Sequence, residues 1–169
     1  MLFFNINLNK SSYKRNLNMT INKDFDIIIQ NAHFWNWAPD WDVVRDIYTA
    51  FPSAYSVLTP FAFSYLEEMI RSRTSEYGRT LYDENHNKRN YRKVGLRLIE
   101  LAEKENQADV TFIELLQRAK RYFDNSSEED SGDNRNSTVH GYMHPRFWTK
   151  ESFENLIHFI AEISPFAQF

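Results

Sequence analysis

The sequence predicts an all-α fold, a bundle of four to six helices in one domain. Glycine and proline are scarce, with 4 and 5 occurrences in 169 residues, about 5 % of the chain where average usage gives about 12 %. In several segments apolar residues recur at intervals of three and four, the period of a helix buried on one face. No segment alternates apolar and polar residues as a half-buried strand does. These features favour helices packed on helices.

The chain divides into a short arm and one domain. Residues 1–22 are rich in asparagine and predict an irregular N-terminal arm, whereas residues 23–169 predict a single helical domain. The first predicted helix covers residues 40–51, and Asp40 is expected to cap it. Its apolar face comprises Val44, Ile47, Tyr48 and Phe51.

A second helix is predicted after Thr59. Thr59 serves as the N-cap, and Pro60 suits the first helical position, where its missing N–H costs no hydrogen bond. Glu67 and Arg71 are expected to pair four residues apart on the solvent side. Gly78 is expected to close this helix.

Three further helices are predicted in the second half of the chain. One covers residues 90–105. Asp109 and Thr149 are expected to cap the other two, because their side-chain oxygens accept hydrogen bonds from the first turn. The buried face of the last helix comprises Phe153, Leu156, Ile157 and Ile160.

Charge is distributed unevenly along the chain, although the net charge is only −3. Residues 71–97 carry eight basic and three acidic side chains, whereas residues 124–134 carry five acidic side chains and no basic one. The acidic stretch has no apolar residue and predicts a mobile loop. The basic stretch is either a solvated surface or a phosphate-binding segment for RNA. Its candidate phosphate contacts are Arg89, Arg92 and Lys93.

The composition excludes several classes of protein. The chain has no cysteine, so neither a disulfide framework nor a thiolate metal site is expected. No run of about 18 apolar residues occurs, which argues against a membrane span. The apolar residues 1–4 lack a basic flank and a long apolar continuation, so we expect no signal peptide and a cytoplasmic protein.

Three tryptophans close together in sequence allow two interpretations. Aromatic side chains can stack on nucleic-acid bases. We favour the other interpretation, a core or a dimer interface, because aromatic residues bury large areas. The three residues are Trp35, Trp37 and Trp41.

Residues 134–141 contain the set of side chains best suited to catalysis. Gly-rich phosphate loops and helical zinc motifs are missing from the sequence. Arg135, Asn136 and His140 lie within about a turn and a half of helix. This set suffices for RNA cleavage without a metal, because the 2′-hydroxyl of the substrate is the nucleophile. His140 would transfer protons at the 2′ or 5′ oxygen, and Arg135 would stabilise the charge on the phosphorane.

The same segment has simpler interpretations. Asn136 would orient either His140 or the phosphate, but Arg135 could equally pair with the acidic loop, and His140 could close a helix before Gly141. His140 and His144 have the spacing of a helical metal pair. Gly141 lies between these histidines and argues against a helix through both, so no metal is expected. Tyr142 and His144 are candidates for contacts to RNA, and a second Arg–His pair, Arg79 and His86, is expected in a surface loop.

The Arg135-Asn136-x-x-x-His140 pattern resembles the HEPN superfamily (higher eukaryotes and prokaryotes nucleotide-binding). The flanking Asn134 and Gly141 are similar to the Asn-Arg…His-Gly stretch of many prokaryotic members. The resemblance implies a helical bundle that forms a homodimer and brings two Arg–His sets into one cleft. It implies an endoribonuclease without metal or cofactor, in which Arg135 and His140 are the catalytic pair.

The resemblance also implies a biological setting. Many members act as toxins or phage-defence effectors, which implies a cognate antitoxin or regulatory protein as a partner. The alternative function is a non-catalytic helical dimer module that binds a partner protein or a nucleotide. In that case the tryptophan cluster would form the interface, and Arg135 and His140 would serve the fold.

Overall fold

The computed structural model describes residues 20–169, which form a bundle of α-helices with no β-strand in that range. The helices are α1 (20–31), α2 (Ala38–Ala50), α3 (Tyr55–Ser72), α4 (Leu96–Glu105), α5 (Val110–Ala119), α6 (Arg135–His140) and α7 (Lys150–Ile163). The predicted all-α bundle is confirmed, with seven helices where four to six were expected. Residues 1–19 of the predicted arm lie outside the described residues, and residues 20–22 belong to α1.

Helix α3 lies at the centre of the bundle. It packs against α4, α6 and α7, while α5 packs against α4. Its side chains Phe63, Tyr65 and Leu66 are completely buried. The interior is therefore continuous around one helix, and any residue that projects from α3 toward α6 reaches the predicted catalytic segment.

The buried face of α2 differs from the predicted one. Trp41, Val44 and Tyr48 point into the core, whereas Ile47 and Phe51 are exposed. Trp41 packs edge-on against Phe61 and Tyr65 of α3, with ring centroids about 5.1 Å apart. Because this large ring anchors the helix, the face that includes positions 44 and 48 turns inward and position 47 turns outward.

Helix α3 begins and ends earlier than predicted. It starts at Tyr55, so Pro60 lies inside it and Thr59 is not its N-cap. The hydroxyl of Thr59 instead donates a hydrogen bond to the carbonyl of Tyr55 at 2.7 Å. Pro60 removes one backbone N–H from the second turn of the helix. The helix ends at Ser72 rather than near Gly78.

Helix α4 is shorter at its start than the predicted helix over 90–105. Gly95 precedes it with φ +58° and ψ −137°, a backbone conformation that essentially only glycine adopts. The conformation of Gly95 prevents the helix from starting earlier, and Val94, just before it, is exposed. The caps at Asp109 and Thr149 are confirmed, since their side chains accept hydrogen bonds from Phe112 N and Ser152 N.

The acidic loop predicted over 124–134 contacts the helices that follow it. Asp130 accepts a hydrogen bond from the hydroxyl of Ser137 in α6. The carbonyl of Ser131 accepts one from Thr149 N at 2.8 Å. These contacts place the loop against the N-terminus of α7 and beside α6. Across residues 20–169, no helix has both the length and the apolar character needed to cross a bilayer.

Candidate active site

The predicted catalytic segment forms the short helix α6. Asn134 caps it, with its side-chain oxygen accepting from Ser137 N at 3.1 Å and its amide donating to the carbonyl of Asp124 at 3.0 Å. The helix ends at His140, because Gly141 adopts the left-handed conformation with φ +68°. A cap and a stop with only six residues between them hold Arg135 and His140 at the two ends of the same helix.

Arg135 and His140 are brought into contact. The guanidinium NH1 of Arg135 lies 3.3 Å from Nε2 of His140. His140 is exposed, whereas the side chain of Arg135 is only 13 % exposed. The imidazole side of the pair is therefore open to solvent, while the arginine is largely buried.

The anchor of Arg135 is Glu67 of α3, which sequence reasoning missed. NH2 of Arg135 lies 3.0 Å from Oε2 of Glu67, and the carboxylate side chain is 10 % exposed. Glu67 and Arg71 do not pair on the solvent side as predicted; Arg71 is largely buried and pairs with Glu68 at 2.7 Å. Glu67 follows Phe63 by four residues, on a buried face of α3. A carboxylate on the buried face of a helix needs a partner of opposite charge, so the position of Glu67 could have predicted one elsewhere in the chain.

The contact between Arg135 and His140 constrains the imidazole. A guanidinium has donors only, so Nε2 of His140 accepts where the two groups hydrogen-bond. That nitrogen has to be released from the arginine before it can take a proton from a hydroxyl. Asn136 contacts Arg135 NH1 at 3.4 Å and donates to the carbonyl of Asp124 at 3.0 Å. It links the guanidinium to the acidic loop.

The basic residues proposed as phosphate contacts are partly engaged within the chain. Arg89 and Lys93 form ion pairs with Glu76, at 3.4 and 3.6 Å, and the carboxylate of Glu76 is 3 % exposed. Arg92 donates to the backbone carbonyls of Glu76 and Arg79. These three cations fold residues 79–95 over the end of α3.

The residues after the motif lie at the surface. Tyr142 is exposed, and its backbone N–H donates to the carbonyl of Ser137. His144 is exposed and caps the short turn that follows, accepting from Arg146 N at 3.1 Å. His140 and His144 are not on one helix, because α6 ends between them. Within residues 20–169, no three His, Asp or Glu side chains form a group that could hold a metal ion.

The other candidates lie apart from this pair. Arg79 and His86 belong to a surface turn, where His86 has φ +61°. Trp41 is in the core and Trp37 packs against Tyr65, with ring centroids 5.0 Å apart, whereas Trp35 is exposed.

Comparison of the chain with family models, with curated proteins and with solved structures finds no match. The site comprises one guanidinium paired with a buried carboxylate, one exposed imidazole and one amide.

Proposed function

We propose that this chain is a metal-independent endoribonuclease, as the resemblance to the HEPN superfamily implies. The observation that carries the proposal is the contact of Arg135 with an exposed His140. When a substrate phosphate replaces the imidazole on Arg135, Nε2 of His140 is free to remove the proton of the substrate 2′-hydroxyl, whose oxygen attacks the phosphorus. The bond from phosphorus to the 5′ oxygen breaks, and that oxygen takes up the proton from the imidazolium. The products are a 2′,3′-cyclic phosphate and a 5′-hydroxyl.

Arg135 has the chemistry to stabilise the extra negative charge of this transition state. Its guanidinium stays protonated and presents several donors in a fixed plane. The ion pair with Glu67 engages Nη2 of the guanidinium. Nη1 is thereby left to face the imidazole and an incoming phosphate. Asn136 supports the same guanidinium from the acidic loop.

The test is cleavage of an unstructured RNA in the presence of EDTA. The wild-type chain is expected to cleave it, His140→Ala to lose about 100-fold or more of the rate, and His158→Gln, at an exposed imidazole on α7, to keep the rate. RNA methylated on the 2′ oxygens should resist cleavage. Loss of activity on chelation, products with 5′-phosphates, or full activity of His140→Ala would overturn the proposal.

Stability measurements separate catalysis from folding. His140 is exposed, so His140→Ala is expected to change the free energy of unfolding by no more than about 0.5 kcal/mol. A loss of several kcal/mol would show that the residue serves the fold. In cells, induction of the wild type but not of His140→Ala should arrest growth if the chain acts as a toxin or defence effector held in check by an antitoxin.

A second candidate function, a helical dimer module, is favoured by one observation. Phe34 and Trp35 are more than two-thirds exposed, and their ring contacts among the described residues are with each other and with His33. We infer that the occupant of this apolar patch is a second copy of the chain, because a homodimer is also what the HEPN resemblance implies. Trp35→Glu should convert a dimer to a monomer in a mass measurement in solution; a wild-type monomer would contradict the homodimer.

A further inference from the structure

A groove lined by tyrosines, cations and two carboxylates lies on the segment that joins α3 to α4. It has a volume of about 520 Å³ and is formed within residues 82–97, a size usual for ligand-binding clefts. Tyr82 and Tyr91 line it, with 60 % and 70 % of their surface exposed. The cations Arg89, Lys93 and Arg97 line it as well.

The segment that presents Tyr82 is held in a defined hairpin. Arg89 N donates to the carbonyl of Leu81 at 2.8 Å, and Asp83 N donates to that of Asn87 at 2.9 Å. The carboxylate of Asp83 closes the turn by accepting from Asn85 N and Asn87 N. These four hydrogen bonds fix the backbone of the turn. The ring of Tyr82 is exposed on it, so it gains no stabilisation from burial.

The groove is lined by three cations, Arg89, Lys93 and Arg97, and by two acidic side chains, Asp83 and Glu84. Arg89 and Lys93 also pair with the buried Glu76. Asp83 is occupied by the hairpin, whose hydrogen bond from Asn87 holds the pKa of that carboxyl below its usual value. Arg97 is exposed and pairs with no carboxylate in the described part of the chain, and Arg89 lies over the ring of Tyr91 at 4.8 Å.

One carboxylate joins the groove to the catalytic pair. Oε1 of Glu67 accepts a hydrogen bond from Gly95 N at 2.8 Å, and Oε2 of the same group binds Arg135 at 3.0 Å. Gly95 lies between Lys93 and Arg97, which line the groove. The backbone between two groove residues and the guanidinium of Arg135 are therefore joined through a single carboxylate.

We propose that this groove binds an unpaired polynucleotide strand. Tyr82 and Tyr91 stack on successive bases, and Arg97 contacts a phosphate. Stacking requires a free base face, which a duplex does not offer, so the ligand is single-stranded. This inference rests on the proposed ribonuclease function, since it names the form of RNA that is delivered to Arg135 and His140.

The test measures binding without cleavage. The probe is a fluorescent single-stranded RNA of about 12 nucleotides with every 2′ oxygen methylated, and anisotropy gives the Kd. Tyr82→Ala and Tyr91→Ala are each expected to weaken binding about tenfold, the effect of losing one stacked base. Phe51→Ala, which removes an exposed ring from α2, should leave the Kd unchanged. A matched duplex should bind at least about tenfold more weakly.

Salt dependence tests the phosphate contact. Arg97→Gln should lower the slope of log Kd against log salt by about 0.7, the value for one phosphate of a single strand. Lys23→Gln on α1 removes the same charge from another helix and should leave the slope unchanged. Unchanged binding in both tyrosine variants, or equal affinity for duplex and single strand, overturns the proposal. Tight binding of the methylated strand with no cleavage of ordinary RNA defeats only the catalytic proposal.

Discussion

Arg135 divides its guanidinium between a buried carboxylate and an exposed imidazole. Both Arg135 and Glu67 are largely withdrawn from water, at 13 % and 10 % side-chain exposure. Neither charge is tolerated there alone, because desolvation of an unpaired ion costs several kcal/mol. Glu67 therefore holds the guanidinium of Arg135 in place, and in the proposed reaction it would act only through the orientation of that group.

Removing one partner of this pair should destabilise the fold. Glu67→Ala is expected to lower the free energy of unfolding by about 3 kcal/mol, since it leaves the guanidinium of Arg135 buried without its counter-ion. Urea denaturation measures the change, with the exposed Glu100→Ala on α4 as the control. The double variant Glu67→Ala/Arg135→Ala should lose less than the sum of the single variants. Strict additivity would show that the two side chains do not interact.

Asp24 gives the molecule a defined pH dependence. It is buried on α1, where His158 of α7 lies 3.2 Å away. Burial raises the pKa of the Asp24 carboxyl above its usual 3.8, and the hydrogen bond from His158 lowers it by less. The folded chain thus keeps the Asp24 proton at a pH where the unfolded chain has lost it. The contribution of Asp24 to the free energy of unfolding therefore falls as pH rises from 3.8 through the raised pKa.

The Asp24→Asn variant should lack this part of the pH dependence. As pH rises from about 4 to 7, the free energy of unfolding of Asp24→Asn is expected to increase relative to that of the wild type. The reason is that the amide carries no charge that burial would penalise. Asp26→Asn alters an exposed carboxylate of the same helix and is the control. Parallel stability curves for the wild type and Asp24→Asn would contradict the assignment.

At the scale of elements, two glycines set the ends of helices that matter for the site. Gly95 precedes α4 and Gly141 ends α6, and both have positive φ. The space around each is open to an added Cβ, with only Phe123 at 4.0 Å from Gly95. Substitution at either position therefore tests the backbone conformation itself.

Alanine should be more costly at Gly95 than at Gly141. With ψ −137° Gly95 lies near a region reserved for glycine, whereas ψ +26° places Gly141 in the left-handed helical region. We expect Gly95→Ala to lose about 2 to 3 kcal/mol and Gly141→Ala about 1 kcal/mol. Thermal unfolding measures both. Gly141→Asn serves as the mild control, since asparagine tolerates this conformation. Equal losses at the two glycines would contradict the distinction.

At the scale of the whole molecule, one aromatic cluster joins three helices. Trp41 of α2 contacts Phe25 of α1 as well as Phe61 and Tyr65 of α3, with ring centroids 5.1 to 6.1 Å apart. Aromatic contacts of this kind add to the free energy of burying large side chains. The cluster holds α1 and α2 on the helix that also supplies Glu67.

Truncation should distinguish the buried face of α2 from its exposed face. Trp41→Ala is expected to lower the free energy of unfolding by about 3 to 5 kcal/mol, the cost of emptying an aromatic site in a core. Phe51→Ala, at an exposed ring just after the same helix, should change it by no more than about 0.5 kcal/mol. Chemical denaturation compares the two. A large decrease in the free energy of unfolding of Phe51→Ala would instead support the buried face predicted from periodicity, which included Phe51.

Local features were predictable from the sequence by itself. The all-α class follows from composition and period, and the caps at Asp109 and Thr149 follow from side chains that bind their own first turns. The nearness of Arg135 and His140 is equally local, since five positions along one short helix separate them. Such interactions are independent of how the rest of the chain packs.

Only the tertiary structure decided what surrounds that pair. Glu67 meets Arg135 from 68 positions away, and Gly95 binds the other oxygen of the same carboxylate. The outward turn of Ile47 depends on where the ring of Trp41 packs. Periodicity ranks the faces of a helix by apolar content, but burial is set by partners distant in sequence. The nearness of Arg135 and His140 is thus a property of one segment, while the carboxylate that anchors Arg135 is a property of the packed bundle.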